Sequence, residues 1–253
     1  MKIIVLIKQV PDTYGDRRLD QATGRIDRGG DLVVDEITER AMEVALKEKD
    51  ARKAEVVLLT MGPASSVDVL RKGLALGADR AVHILDEDLA GSDMLRTSAV
   101  LAAALRREGF DLVIAGNEST DGRGGALAAM IAERLGLPHA TSLNTVAIGA
   151  DNVAGERAGE QGTRAIHAEL PAIVSVTERN PEARFPSFKG SMRAKKKPLD
   201  TVALAELGVA EPASRTTVLT ATRRPARAAG RKIADDGTAA AELAEFLTSS
   251  RLI

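Results

Sequence analysis

Asp111-Leu112-Val113-Ile114-Ala115-Gly116 is an apolar run ending in glycine, and it leads directly into Asn117-Glu118-Ser119-Thr120-Asp121-Gly122-Arg123-Gly124-Gly125. Beyond Ala126, the apolar positions Leu127, Met130, Ile131 and Leu135 recur at helical spacing. A buried strand, a glycine-rich turn and an amphipathic helix in succession make one βα unit. Similar units lie upstream. Residues 2–7 carry an apolar run bounded by Lys2 and Lys8, as in a strand buried on both faces. After Asp35 the period changes, with Ile37, Ala41, Val44 and Ala45 on one helical face up to Lys47-Glu48-Lys49. Residues 55–61 read as a strand closed by Gly62-Pro63, 65–76 as a helix stopped by Gly77, 81–85 as a strand and 93–107 as a helix. This alternation specifies an α/β fold, a doubly wound and mostly parallel sheet of the Rossmann-like layered kind. Ligands of such sheets sit outside the carboxyl ends of the strands, at the switch point of the topology.

Elsewhere the pattern differs. Residues 18–28 alternate around Thr23-Gly24 and read as a small exposed hairpin. From Ala140 the alternation of strand and helix stops, and 143–156 with 163–169 read as an antiparallel pair, followed by a strong strand over 170–176. Residues 178–198, rich in Pro, Lys and Arg, read as a long projecting loop. We therefore expect a nucleotide-binding α/β domain over 1–198, with a partner-recognition loop at about 181–198, and a C-terminal arm over 199–253. The arm carries an Arg/Ala-rich stretch (223–232) and a short helix at about 238–248.

Composition excludes several classes of function. The chain has 253 residues, enough for one large core. Only 2% are aromatic and none is Trp, which leaves little for stacking nucleobases. The net charge of −1 provides no overall field toward nucleic acid or anionic lipid. Absence of Cys removes thiolate chemistry, disulfides and iron–sulfur ligation. No apolar run approaches the roughly 20 residues of a membrane span, and the N-terminus lacks a signal-peptide pattern. The expectation is a soluble cytoplasmic protein with no nucleic-acid partner and no direct membrane insertion.

The turn Gly116–Gly125 is the principal candidate site. Its glycines permit close backbone approach, the start of the following helix offers free N–H groups, and Ser119, Thr120 and Arg123 add donors suited to phosphate. An ordinary βα loop is the alternative. The turn matches neither the dinucleotide fingerprint nor the P-loop. Asp35 has the position of a helix N-cap, helped by Thr38 or Glu39. His83, His139 and His167 are scattered without partners at metal-ligand spacing, so no metal site is expected. No G-x-S-x-G elbow or acid–base set is present, and no catalytic residue is assigned. Arg184-Phe-Pro-Ser-Phe-Lys-Gly-Ser-Met192 places two of the four Phe residues beside the basic run Arg193-Ala-Lys-Lys-Lys197. Exposed aromatics next to charge suit a protein partner, with a Phe tucked into the core as the alternative.

The stretch Arg184–Leu199 resembles the recognition loop of the electron-transfer flavoprotein beta subunit, as does Leu170-Pro-Ala-Ile-Val-Ser-Val176 before it. Val5-Leu-Ile-Lys-Gln-Val-Pro-Asp12, the helix Asp35–Leu46 and Gly77-Ala-Asp-Arg80 are similar to that family at matching positions, and the likeness spans the chain. The resemblance implies an electron carrier rather than an enzyme, paired with an alpha subunit that holds most of the FAD. It implies a structural AMP held by Leu6, Asp35, Glu36, Ile37, Thr38, Met61, Gly116, Asn117, Glu118, Ser119, Thr120, Asp121, Gly122, Arg123, Gly124, Gly125, Ala126 and Leu127. The turn Val10–Tyr14 and Ile37 would face the isoalloxazine. Phe188 would be the anchor for acyl-CoA-type dehydrogenases of fatty-acid oxidation, with Met192, Arg193, Lys195, Lys196 and Lys197 in the docking surface. Electrons would pass on to a membrane quinone reductase. Many members carry Asn where this chain has Asp35, and a hydroxyl or amide side chain near Gly124-Gly125. Two alternatives remain: a bifurcating variant with a second FAD in place of AMP, and a stand-alone adenine-nucleotide hydrolase or ligase. The latter lacks a phosphate grip at Lys8–Asp12.

Overall fold

The computed structural model describes residues 1–15, 17–209, 214–222, 224–227, 229–230 and 232–253. Its centre is a seven-stranded sheet built from β1 (Lys2–Leu6), β4 (Glu55–Met61), β5 (Arg80–Ile84), β6 (Leu112–Gly116), β7 (His139–Leu143), β11 (Ala172–Val176) and β12 (Leu199–Val202). The order is β12-β5-β4-β1-β6-β11-β7, with every pairing parallel. Along β1, Ile3 and Val5 point to one face and Ile4 and Leu6 to the other. The first face is covered by α1 (Glu36–Arg52) and α2 (Val67–Leu76), through Met42, Leu46, Leu70 and Leu74. The second is covered by α3 (Met94–Glu108) and α4 (Leu127–Leu135), through Val100, Leu101, Leu105 and Ile131. A sheet buried on both faces requires the continuous apolar strands seen in the sequence.

The chain moves outward from β1 to β4 and β5, then returns to the other side of β1 as β6. The switch point is therefore between β1 and β6. A short ribbon, β2 (Gln9–Pro11) with β3 (Leu32–Val34), leaves β1 there and brings the chain back to Asp35 at the start of α1. The hairpin between them closes with one antiparallel bridge, Leu19 to Ile26, and a left-handed Gly24 (φ 66°).

Five expectations change. Helix α1 continues past Lys49 to Arg52, where Lys53 ends it in the left-handed region (φ 59°). The segment 143–156 is two strands, because Gly149 N–H bonds Asn152 O and reverses the chain. The result is a three-stranded antiparallel sheet of β8 (Thr145–Ile148), β9 (Asn152–Gly159) and β10 (Gly162–Glu169), ordered β10-β9-β8. Residues 139–143 join the main sheet as its edge strand; burying only Ala140 and Leu143 suffices there, so the run is too polar to read as a parallel strand.

Fourth, 178–198 is not a free loop. Residues Phe188–Ala194 form α5, started by Ser187, whose Oγ accepts from Gly190 N–H at 3.0 Å. The helix is tied to α2 by Arg71, which donates to the carbonyls of Ala194 (2.8 Å) and Lys197 (3.0 Å). Most of the charged side chains of this segment stay in water while its backbone is held, Arg184 and Lys197 being the exceptions. A Cβ on Gly190 would come within 2.4 Å of the Ala75 carbonyl oxygen. Gly190→Ala is accordingly expected to lever α5 off α2 and to cost about 2 kcal/mol, read as a lower urea midpoint; an unchanged midpoint would show that the contact is not tight.

Residues 199–202, assigned in sequence to the arm, are β12 beside β5. Further on, the N–H groups of Arg215 and Thr216 donate to Asp93, and the first compact unit runs from Met1 to Ala221. The second unit, Thr222–Ile253, contains α6 (Ala239–Ser249) with Leu243 and Phe246 exposed. Arg223, Ala228 and Arg231 of the Arg/Ala-rich stretch lie outside the described residues. Among the described residues, no helix is long and apolar enough to cross a membrane.

Candidate functional site

At the carboxyl edge between β1 and β6, the turn leaving β6 is anchored where Asn117 N–H bonds the Val176 carbonyl at 2.8 Å. One helical turn follows, with Arg123 N–H on Ser119 O at 2.9 Å. Arg123 and Gly125 then take left-handed backbones (φ 48° and 69°), which aim the chain into α4. At Gly124 an added Cβ would approach Met94 Sδ to 2.6 Å, so a side chain there would displace the Met94 thioether. Helix α4 opens on Ala126, which supplies no side-chain cap, and its first turn holds no acidic residue. By contrast α1, α3 and α5 begin on Asp35, Asp93 and Ser187, each accepting a backbone N–H. The N-terminal donors of α4 are left for solvent or an anion.

Side chains on the inner side of the turn are spent on holding it. Asp35 is fully buried. Its Oδ1 accepts from the N–H groups of Ile37 (3.1 Å) and Thr38 (3.3 Å), while Oδ2 accepts from Thr120 N–H (2.6 Å) and Thr120 Oγ1 (2.8 Å). One carboxylate thus caps α1 and locks the turn to it. Asp121, whose side chain is 3% exposed, pairs with Lys8 Nζ (2.6 Å) and with the Arg28 guanidinium (3.0 Å). Burial would raise its pKa, but the charge and hydrogen bond of Lys8, the Ser119 hydroxyl and the Gly122 N–H together outweigh that and hold the carboxyl below its ordinary range. Lys8 Nζ also reaches Ser119 Oγ at 3.1 Å, and Arg17 donates to the Thr120 carbonyl.

The expected residues do meet. Leu6 ends β1, Met61 ends β4, Asp35–Thr38 begin α1 and Gly116–Leu127 span the turn, all at one sheet edge. Ile37 lies against Gly116, where an added Cβ would be 3.1 Å from its Cγ2. The hydroxyls of Ser119 and Thr120, read as phosphate donors, bond within the protein, whereas Arg123 and Gly122–Ala126 are exposed. Asn117 Oδ1 is buried without a hydrogen-bond partner, an acceptor available to a ligand hydroxyl or amino group. Of the flavin-facing set, Val10 and Ile37 are buried and Tyr14 is fully exposed. Lys8, Arg17, Arg28 and Met94 were not assigned to the site from sequence; only Lys8, a cation directly after an apolar strand, carried a signal.

A model of the electron transfer flavoprotein domain matches residues 23–207. Over 99% of both chains the protein is 46% identical to the electron transfer flavoprotein subunit beta of Mycobacterium tuberculosis and to that of Mycobacterium leprae. This chain belongs to the electron transfer flavoprotein beta-subunit family. A more distant relative, 33% identical over 98% of this chain and 97% of its own, is the caffeyl-CoA reductase-Etf complex subunit CarD of Acetobacterium woodii. Electron transfer is the family's role, and flavin binding belongs to its complexes.

The second candidate surface of this family member is the α5 region. Phe185 is 95% exposed and Phe188 86%, and Met192, Arg193, Lys195 and Lys196 are exposed beside them. The tucked-in alternative for these aromatics does not hold. Lys197 faces the other way: its ammonium donates to the carbonyls of Leu74 (3.0 Å) and Ala78 at the end of α2. Burial, and after it the charge of Lys49, lowers its pKa. Among the described residues, no group of three His, Asp or Glu side chains is arranged to hold a metal, and His83 lies buried with Nε2 3.0 Å from the Gly62 carbonyl.

Proposed function

We propose that this chain is the beta half of a heterodimeric electron carrier, with a structural AMP in the Gly116–Leu127 turn and an alpha subunit holding most of the FAD. One observation carries the reading. The turn at the switch point leaves the backbone donors of α4 uncapped, which suits an anion, while Lys8 and Arg28 are paired with Asp121, and Asp35 is spent on capping α1 and on Thr120, so none of the four is free to act on a ligand. A nucleotide there is held and not turned over. The residues fit AMP: N–H groups from Gly124 onward and Arg123 suit the phosphate, and the unpartnered Asn117 Oδ1 suits a hydroxyl or amino donor. Bound FAD supplies the one- and two-electron chemistry. This chain supplies an edge around the exposed Tyr14 toward the flavin, a surface at Phe188 for acyl-CoA-type dehydrogenases, and an arm, α6 included, for the alpha subunit. Delivery of electrons to a membrane quinone reductase completes the assignment.

The purified chain alone is expected to be colourless, and the complex with its alpha subunit to carry flavin absorbance; stable FAD binding by the isolated chain would overturn the division of labour. Phe188→Ala is expected to leave flavin content unchanged and to weaken dehydrogenase-driven reduction of the complex by about tenfold in kcat/KM, the loss of one buried aromatic anchor. An unaltered rate would remove Phe188 from the docking surface.

A further inference from the structure

The docking turn is exposed in its side chains and fixed in its backbone, and the fixing comes from outside it. Arg184 lies at its N-terminal stem. Its Nε and Nη2 hold Glu43 of α1 as a fork, at 2.9 and 3.1 Å, its own backbone N–H adds a third bond to Glu43 Oε2 at 3.1 Å, and Nη1 reaches Asp50 at 2.7 Å. The Glu43 side chain is only 6% exposed, so its charge needs this partner. Just upstream, Arg40 of α1 donates to the Asn180 carbonyl, and Asn180, itself buried, donates to Leu143 O at 2.7 Å. The C-terminal stem is tied to α2 through Arg71 and Gly190. Between the two ties stand Phe185 and Phe188, with Pro186 restricting the backbone.

We propose that Arg184 positions the docking surface: its fork to Glu43 and Asp50 of α1 sets the pose in which Phe185 and Phe188 meet a dehydrogenase. This rests on the docking reading above. Immobilising the turn before contact spares the ordering entropy that binding would otherwise cost. Loss of the fork therefore weakens encounter without touching the flavin. Lys in place of Arg keeps the charge opposite Glu43 but cannot span both carboxylates with one ammonium.

The test uses the alpha–beta complex with an acyl-CoA dehydrogenase and its acyl-CoA substrate as the probe. Arg184→Ala is expected to raise KM for the complex about tenfold with kcat and flavin content unchanged, and to speed amide exchange over residues 185–190. Arg184→Lys gives an intermediate KM, and carries the same test should the alanine variant not fold. If Phe188→Ala raises KM and the Arg184 variants do not, the positioning role is overturned while the docking surface stands. If Phe188→Ala also leaves KM unchanged, the docking reading fails and this proposal with it. A parallel loss of flavin or kcat makes Arg184 merely structural and overturns the proposal.

Discussion

Asp35→Ala is expected to lower the stability of the chain by about 3 kcal/mol and to strip the nucleotide from the complex. The estimate has two parts. Losing the N-cap of a long helix costs about 1 kcal/mol, and leaving the Thr120 N–H and hydroxyl without their buried acceptor costs about 2 more. The loop consequence follows from the same carboxylate: with Oδ2 gone, Thr120 loses both of its bonds to the start of α1, the turn is left to Lys8, Arg17 and Arg28, and the backbone that presents the α4 donors loosens. Thr120→Val is the graded control, since it removes the hydroxyl bond alone and should cost about 1 kcal/mol. Urea unfolding of the chain and nucleotide content of the complex read both effects. A loss below about 1 kcal/mol with full nucleotide would show that Asp35 is only a cap.

Asp121→Ala is expected to cost about 2–3 kcal/mol at neutral pH, because Lys8 and Arg28 would lose their shared counter-charge in a partly buried site. The pH dependence has a definite sign. The folded carboxyl lies below its ordinary value, so its contribution is complete above that value and is lost as pH falls through the lowered one. The stability gap between wild type and Asp121→Asn should therefore hold from neutrality down to about pH 4 and shrink below it. Urea midpoints across that range measure the gap; a gap independent of pH would mean that the ion pairs contribute nothing.

The parallel sheet was legible because strands buried on both faces must be apolar throughout, as residues 3–6 and 112–115 are. The position of the site followed from topology, since a turn after β6 beside β1 lies at a switch point whatever its side chains. The roles of individual residues were less legible. Ser119 and Thr120 have the chemistry of phosphate donors, yet their partners Lys8 and Asp35 come from distant parts of the chain and turn them inward. Arg28 and Arg17 reach the turn from a hairpin whose pairing to it depends on tertiary placement. The same limit applies to α5: Ser187 is a local cap signal, but the ties to Arg71 and Ala75 lie more than a hundred residues away in sequence. Asp35 is the instructive case. Its capping position is readable locally, and its second bond set, to Thr120, explains how a carboxylate can sit beside an anion cradle with both oxygens already satisfied.

The most direct measurement denatures the purified alpha–beta complex and identifies the released nucleotides by mass. The account predicts one FAD and one AMP per heterodimer, with the AMP lost from the Asp35→Ala complex. Two FAD and no AMP would contradict it and move the chain to the bifurcating class.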